Sequence, residues 1–255
     1  MADVELPLTG HLAELRKRLA RAVLAVAVTF AVCYPNSSFL FGILEAPLRQ
    51  SAEAHHLKFQ IVGTGIAEAF FTRIGVSFVG AVFLALPVIL YQLWRFVAPG
   101  LESHEARYAK WFVLFGTFFF LAGATFCYLL VFPVGFPFFL QEYADIGVDP
   151  VLRISEYLSF TSRMMLAFGV TFEMPVVIFF LARAGFVDHR QLITYSRYAV
   201  LGIFIVAAVL TPTPDAASQL MMAVPLLFLY GVSIGVAWFF GREKPPAAEE
   251  AGKTA

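Results

Sequence analysis

Two stretches of this chain, Ile74 to Trp94 and Trp111 to Gln141, carry no charge and are long enough to cross a bilayer. A hydrocarbon core about 30 Å thick needs about 20 helical residues at about 1.5 Å each. Ala216 to Gly241 also qualifies, as does Tyr157 to Ala182 apart from Arg163 and Glu173. Composition agrees, because 60% hydrophobic residues, 14% charged residues and 29 phenylalanines lie far from a soluble average. The expected fold class is an all-α polytopic membrane protein.

Two further spans are weaker. Ala22 to Tyr34 is short and is expected to extend through the apolar Phe39 to Leu44, and Tyr198 to Leu210 is short before Thr211-Pro-Thr-Pro-Asp215. The fifth is read either as a half-membrane hairpin with the sixth or as a span of thinned bilayer. A cleaved signal peptide at the N-terminus is rejected, since Pro35-Asn36-Ser37-Ser38 offers no small-residue cleavage pattern. Six spans result.

Loop charges orient them. With a cytoplasmic N-terminus, thirteen Lys and Arg fall on that side, among them Arg16, Lys17, Arg18, Arg21, Arg95, Arg107, Lys110, Arg183, Arg190 and Arg197. Only Arg49, Lys58 and Arg153 fall outside, where the loops are acidic. Both termini are therefore expected in the cytoplasm. Residues 1–241 read as one integral-membrane domain and 242–255 as a disordered tail rich in Pro, Ala and Glu. The exterior loops, about 35–66 and 133–155, are apolar enough to fold as caps. Cys33 and Cys127 read as inert buried thiols, and no metal or cofactor site is expected.

One enzyme signature is present. Gly231-Val-Ser233-Ile-Gly235 matches the G-x-S-x-G pattern, but His11, His55, His56, His104 and His189 all lie outside the spans and no base would reach Ser233. Small residues there suit close helix packing, so an enzyme is not expected.

Glu173 stands inside an apolar run, where an acid costs roughly 2.5 to 3.5 kcal/mol on insertion scales. It reads either as a neutralised, hydrogen-bonded residue between packed helices or as a functional group. Arg163 is ten residues away, about 15 Å along a helix, too far to pair with it. Arg163 and Arg73 are both expected to snorkel to the exterior interface.

The string HLAELRKRL from His11 resembles the opening signature of the TatC family, the multi-span subunit of the twin-arginine protein translocase. Further similar segments follow in order: Pro47-Leu48, EAFFTRI from Glu68, PVILYQLWRFVAPGL from Pro87, HEAR from His104, FCYLLVFP from Phe126, YLSF from Tyr157, FGVTFEMPVV from Phe168, TPTPDAASQ from Thr211, and Pro225. The resemblance implies a concave six-helix scaffold with short fifth and sixth spans in the bacterial inner membrane.

It also implies recognition of an Arg-Arg signal peptide of folded cargo by cytoplasmic carboxylates. The residues carried over are Glu14 and Glu105, with Arg16, Phe96, Pro99 and Leu101. A planar guanidinium binds carboxylate bidentately, so such a pair would discriminate Arg from Lys. Without the family, Glu14 with Arg18 is an ordinary helix-surface spacing. Where family members often read His-Glu-Arg-Arg, this chain has Glu105-Ala106-Arg107, and no role passes to Ala106. Glu173 maps to a polar patch with Thr211 or Thr213, Asp215 and Gln219. That patch is implied to meet the single-span partners TatA and TatB. Other copies of the chain and the lipid bilayer complete the expected partners, with no nucleic acid. A rival reading, an ion-coupled transporter using Glu173, would need an internal repeat or further midplane acids, and neither is present.

Overall fold

The computed structural model describes residues 8–97, 109–183, 185–210 and 216–241. Its contacts divide the chain into two compact units, Met1–Gly169 and Val170–Ala255.

The first unit begins with α1 (Leu8–Cys33) and α2 (Ser37–Ala54), which meet at 89°. Pro35 disfavours a helical Tyr34, so α1 ends at Cys33, and Asn36 Nδ2 donates to the Val32 carbonyl left over at that end. Phe39 to Leu44 therefore does not prolong the first span, as hydropathy suggested; it turns away within α2. Helix α1 runs 26 residues, yet it passes as a span only together with α2. At the corner Arg73 Nε donates to Ser37 Oγ at 3.0 Å and its guanidinium lies over the Tyr34 ring. Arg73 braces the bend instead of only snorkelling.

After strand β1 (Gln60–Val62) come α3 (Glu68–Val97), α4 (Ala109–Phe126), a π turn at Cys127–Val131, α5 (Phe132–Asp145), strand β2 (Val151–Arg153) and α6 (Ile154–Phe172). The two loops expected to fold as caps carry regular structure and join each other. Strand β1 pairs in parallel with β2, Ile61 opposite Leu152, and α2 packs on α5. This ribbon is the one departure, among the described residues, from an all-helical chain. Glu68 at the start of α3 closes it, accepting from the Thr64 and Gly65 N–H groups and from the N–H and hydroxyl of Ser155.

Lys110–Asp145 forms a 36-residue apolar helical run, with Pro133 and Pro137 following the π turn. There the Phe132 N–H bonds Cys127 O, five residues back. Phe132, Phe136, Tyr157 and Phe160 pack ring to ring between α5 and α6, with centroids 5.0 to 6.5 Å apart.

The second unit holds α7 (Met174–Arg183), α8 (His189–Thr194), α9 (Ser196–Leu210) and α10 (Ala216–Phe240). Helix α10 is its centre, packed on α7, α8 and α9 through a stripe that includes Met222, Ala223, Leu226, Tyr230, Ser233 and Ala237. Tyr230 donates to Leu192 O at 2.7 Å. Ser233 is fully buried and its hydroxyl donates to Leu229 O on its own helix, a packing role with no nucleophile character.

Four helical segments are long and apolar enough to span, Glu68–Phe96, Lys110–Asp145, Ile154–Arg183 and Gln219–Phe240, and the bent α1–α2 pair passes the same test together. Helix α9 is short at 15 residues, as expected. Helix α10 runs 25 residues, longer than the resemblance implied for the sixth span.

Candidate functional site

Helices α1 and α3 lie antiparallel along a polar-ended seam. Thr29 Oγ1 donates to Ala81 O at 2.9 Å, and at the α2 corner Tyr34 meets Arg73. From Glu14 onward the less exposed positions of α1 are Glu14, Arg18, Ala22, Ala25, Val26, Thr29, Phe30 and Cys33, one stripe at helical spacing. From the Thr29–Ala81 contact, fifteen residues back along α1 reach Glu14 and fifteen forward along α3 reach Phe96. The antiparallel register thus sets Glu14 and Phe96 level, about 22 Å from that contact at about 1.5 Å per residue.

At this end Glu14 Oε1 accepts from Arg18 Nη2 at 2.7 Å, with side chains 27% and 12% exposed. The ordinary helix spacing read from the sequence is therefore a real ion pair. Arg18 Nε and Nη1 are buried with no hydrogen-bond partner. Arg16 is exposed, on the far side of α1 from the stripe, so the fold does not bring it to Glu14. Phe96 is half-buried near the end of α3. Trp94 and Phe112, on either side of residues 98–108, meet as tilted rings with centroids 4.7 Å apart, tying α3 to α4. Arg95 lies over Tyr91 and Lys110 over Trp111, cations laid on aromatic faces as suits a membrane interface. Glu105, Pro99 and Leu101 fall outside the described residues.

The other candidate lies in the second unit. Glu173 occupies the break between α6 and α7, and the cause is local. Pro175 has no N–H for the carbonyl of residue 171 and its ring crowds it, so the helix is interrupted just before it. The Glu173 N–H turns back to Val170 O at 3.1 Å, and regular bonding resumes with Val177 N–H on Glu173 O at 2.9 Å. Both carboxyl oxygens are buried without a hydrogen-bond partner. The expected hydrogen bond between packed helices is absent there, among the described residues. Arg163 is exposed ten residues away. Gln219 spends its amide on Phe204 O at 3.0 Å, clamping α10 to α9, and no hydrogen bond joins it to Glu173. Thr211, Thr213 and Asp215 lie outside the described residues.

An unpartnered buried carboxyl is costly, typically about 1 to 3 kcal/mol or more, and stays available to a donor brought by another chain. Sequence reasoning missed Gln92, which is 9% exposed with an unpartnered buried Oε1. A lone amide inside the uncharged run from Ile74 to Trp94 was the available signal.

Residues 10–225 match the family described as TatC, Sec-independent protein translocase protein. A relative of the same description from Desulforapulum autotrophicum is 44% identical over 97% of this chain and 90% of its own length. Another from Campylobacter jejuni is 43% identical over 89% of this chain and 91% of its own. Among solved structures, the crystal structure of a twin arginine translocase receptor, TatC, superposes with a TM-score of 0.80 at 34% identity. It covers 89% of this chain and 97% of that one.

Proposed function

The chain belongs to the TatC family of Sec-independent protein translocase proteins, and from that premise we propose that it is the receptor subunit of a twin-arginine translocase. It is a multi-pass membrane component of a protein translocase and not an enzyme. Its cytoplasmic face binds the Arg-Arg signal of folded cargo through Glu14 and Glu105, with Phe96, Pro99, Leu101 and Arg16 around them. Glu173, with Gln219, Asp215 and Thr211 or Thr213, receives the single-span partners TatA and TatB. The membrane is the bacterial inner membrane, with both termini cytoplasmic.

The observation that carries the reading is the α1–α3 register, in which Glu14 and Phe96 stand level at the end from which residues 98–108 depart. A carboxylate level with an aromatic ring suits a guanidinium, which pairs with the first and stacks on the second. Glu173 supports the second half, because a buried acceptor without a partner gives an incoming helix a polar reason to dock at one place.

The test is a photo-crosslinker at position 96 of the full chain in inner-membrane vesicles, with a labelled Arg-Arg signal peptide. Crosslinks displaced by unlabelled Arg-Arg peptide are expected, and displacement by Lys-Lys peptide should be much weaker. Crosslinks that both peptides displace equally would refute arginine recognition at this end.

A further inference from the structure

The polar end of the α1–α3 seam is already occupied, by a residue of its own chain. Arg18 lies three turns before Thr29, and Gln92 three turns after Ala81, so both return to the faces that meet at the Thr29–Ala81 contact. Arg18 and Gln92 therefore oppose each other across the seam. Their bonding is incomplete in complementary ways. Arg18 has two buried donors without partners, Nε and Nη1, and Gln92 has one buried acceptor without a partner, Oε1. Only Arg18 Nη2 is used, on Glu14.

Such a state is poised between two arrangements. A guanidinium that gives one of its N–H groups to Glu14 leaves a fork half-filled, while an amide oxygen waits unpaired at the same level of the facing helix. Burial makes each unpaired group expensive, so a shift that satisfies them is favoured once Glu14 finds another cation.

We infer that Arg18 is an internal stand-in for a signal arginine: it holds Glu14 in the unloaded receptor, and when a signal guanidinium displaces it, Arg18 swings onto Gln92. This rests on the reading of Glu14 as a signal-binding carboxylate and adds an internal competitor to it. An incoming cation must compete with a guanidinium for Glu14. Opening the Glu14–Arg18 pair costs every incoming cation the same, so Arg18 lowers signal affinity by one factor, and the preference for arginine comes from the fork that a guanidinium offers Glu14 itself.

The experiment measures binding of fluorescent Arg-Arg and Lys-Lys signal peptides to the full chain in lipid nanodiscs. Variants are Arg18→Gln, Arg18→Lys, Gln92→Leu, the Arg18→Gln/Gln92→Leu pair and Glu14→Ala. Arg18→Gln should tighten Arg-Arg binding by about fivefold, since a partly buried ion pair no longer has to open. It should tighten Lys-Lys binding by the same factor and leave the Arg-over-Lys ratio unchanged, a gain in affinity that a purely structural role would not produce. Arg18→Lys, which keeps the charge and the fold, should shift both in the same direction by less, and serves alone if Arg18→Gln does not assemble. Gln92→Leu should weaken binding when Arg18 is present and change nothing in the Arg18→Gln background. Weaker or unchanged Arg-Arg binding in both Arg18 variants, or an equal effect of Gln92→Leu in both backgrounds, would overturn the stand-in. Glu14→Ala separates the two levels: if it leaves wild-type binding intact, signal recognition at Glu14 fails, and if it weakens binding while Arg18 variants do not strengthen it, only the stand-in fails.

Discussion

The Tyr128 hydroxyl donates to the Ile43 carbonyl at 3.0 Å, and Ile43 is the residue whose carbonyl Pro47 leaves without an intrahelical partner. One residue on, Tyr157 donates to Leu44 O at 2.6 Å. Tyr128, in the turn that follows α4, thus supplies the one donor that a proline removed from α2, and Tyr157 adds a bond to a carbonyl whose helical donor, the Leu48 N–H, is still in place. The two bonds tie α2 to the π turn at Cys127–Val131 and to α6.

That repair predicts a conditional cost. Tyr128→Phe should destabilise the protein by about 0.5 to 1.5 kcal/mol, because a carbonyl is left unpaired. In a Pro47→Ala background residue 47 regains its N–H and the same substitution should cost much less. Thermal unfolding of the four proteins in detergent checks it; equal costs in both backgrounds would show that Ile43 O is satisfied some other way.

A second prediction concerns Gly169. A Cβ built there would lie 2.7 to 2.8 Å from ring atoms of Phe120, whose ring is itself pinned edge-on against Phe83. Gly169→Ala should therefore lower stability by about 1 to 3 kcal/mol, and Phe120→Leu in the same chain should recover part of it. Melting temperatures of the single and double variants decide this.

Topology is tested by thiol labelling. Both native cysteines, Cys33 and Cys127, are buried, so background labelling should be low. Ser51 is only 6% exposed and makes a poor probe, whereas Glu53, Asp149 and Gln191 are exposed. Cysteine at 53 or 149 should react with an impermeant maleimide from outside intact cells, and at 191 only after the membrane is opened. Reaction of position 191 from outside would refute the orientation with both termini in the cytoplasm.

For Glu173 the expected outcome depends on the donor and not on charge. Glu173→Gln keeps a polar group at the break between α6 and α7 and should retain most crosslinking to the single-span partners. Glu173→Ala should lose it by about tenfold, matching the loss of about 1.4 kcal/mol for one buried hydrogen bond. Equal crosslinking of Ala and wild type would make Glu173 a structural polar group only.

Glu105→Gln addresses recognition directly. The substitution removes the charge and preserves the shape, so binding of Arg-Arg peptide should fall by about 1.5 to 3 kcal/mol while membrane insertion is unchanged. Peptide titration with Arg-Arg and Lys-Lys forms measures it. An unchanged Arg-over-Lys ratio would move the recognition site elsewhere.

The sequence by itself determined what depends on runs and on near neighbours. Apolar length fixed the spans Glu68–Phe96 and Lys110–Asp145, because a bilayer reads only thickness and hydropathy. The Glu14–Arg18 pair and the interruption of the helix before Pro175 follow from spacing within one turn. Even there, hydropathy carries no direction: Phe39 to Leu44 is apolar enough to prolong the first span, and the chain turns 89° before it. What only tertiary structure decided are the partnerships between residues far apart in the chain. Arg73 on Ser37, Tyr128 on Ile43, Glu68 on Ser155 and the parallel ribbon of Gln60–Val62 with Val151–Arg153 leave no periodic trace. Gln92 shows why. An amide in an apolar run is legible as an oddity, but that it stands at the level of Arg18 follows only from the antiparallel register of α1 on α3, which is set by packing along the whole seam.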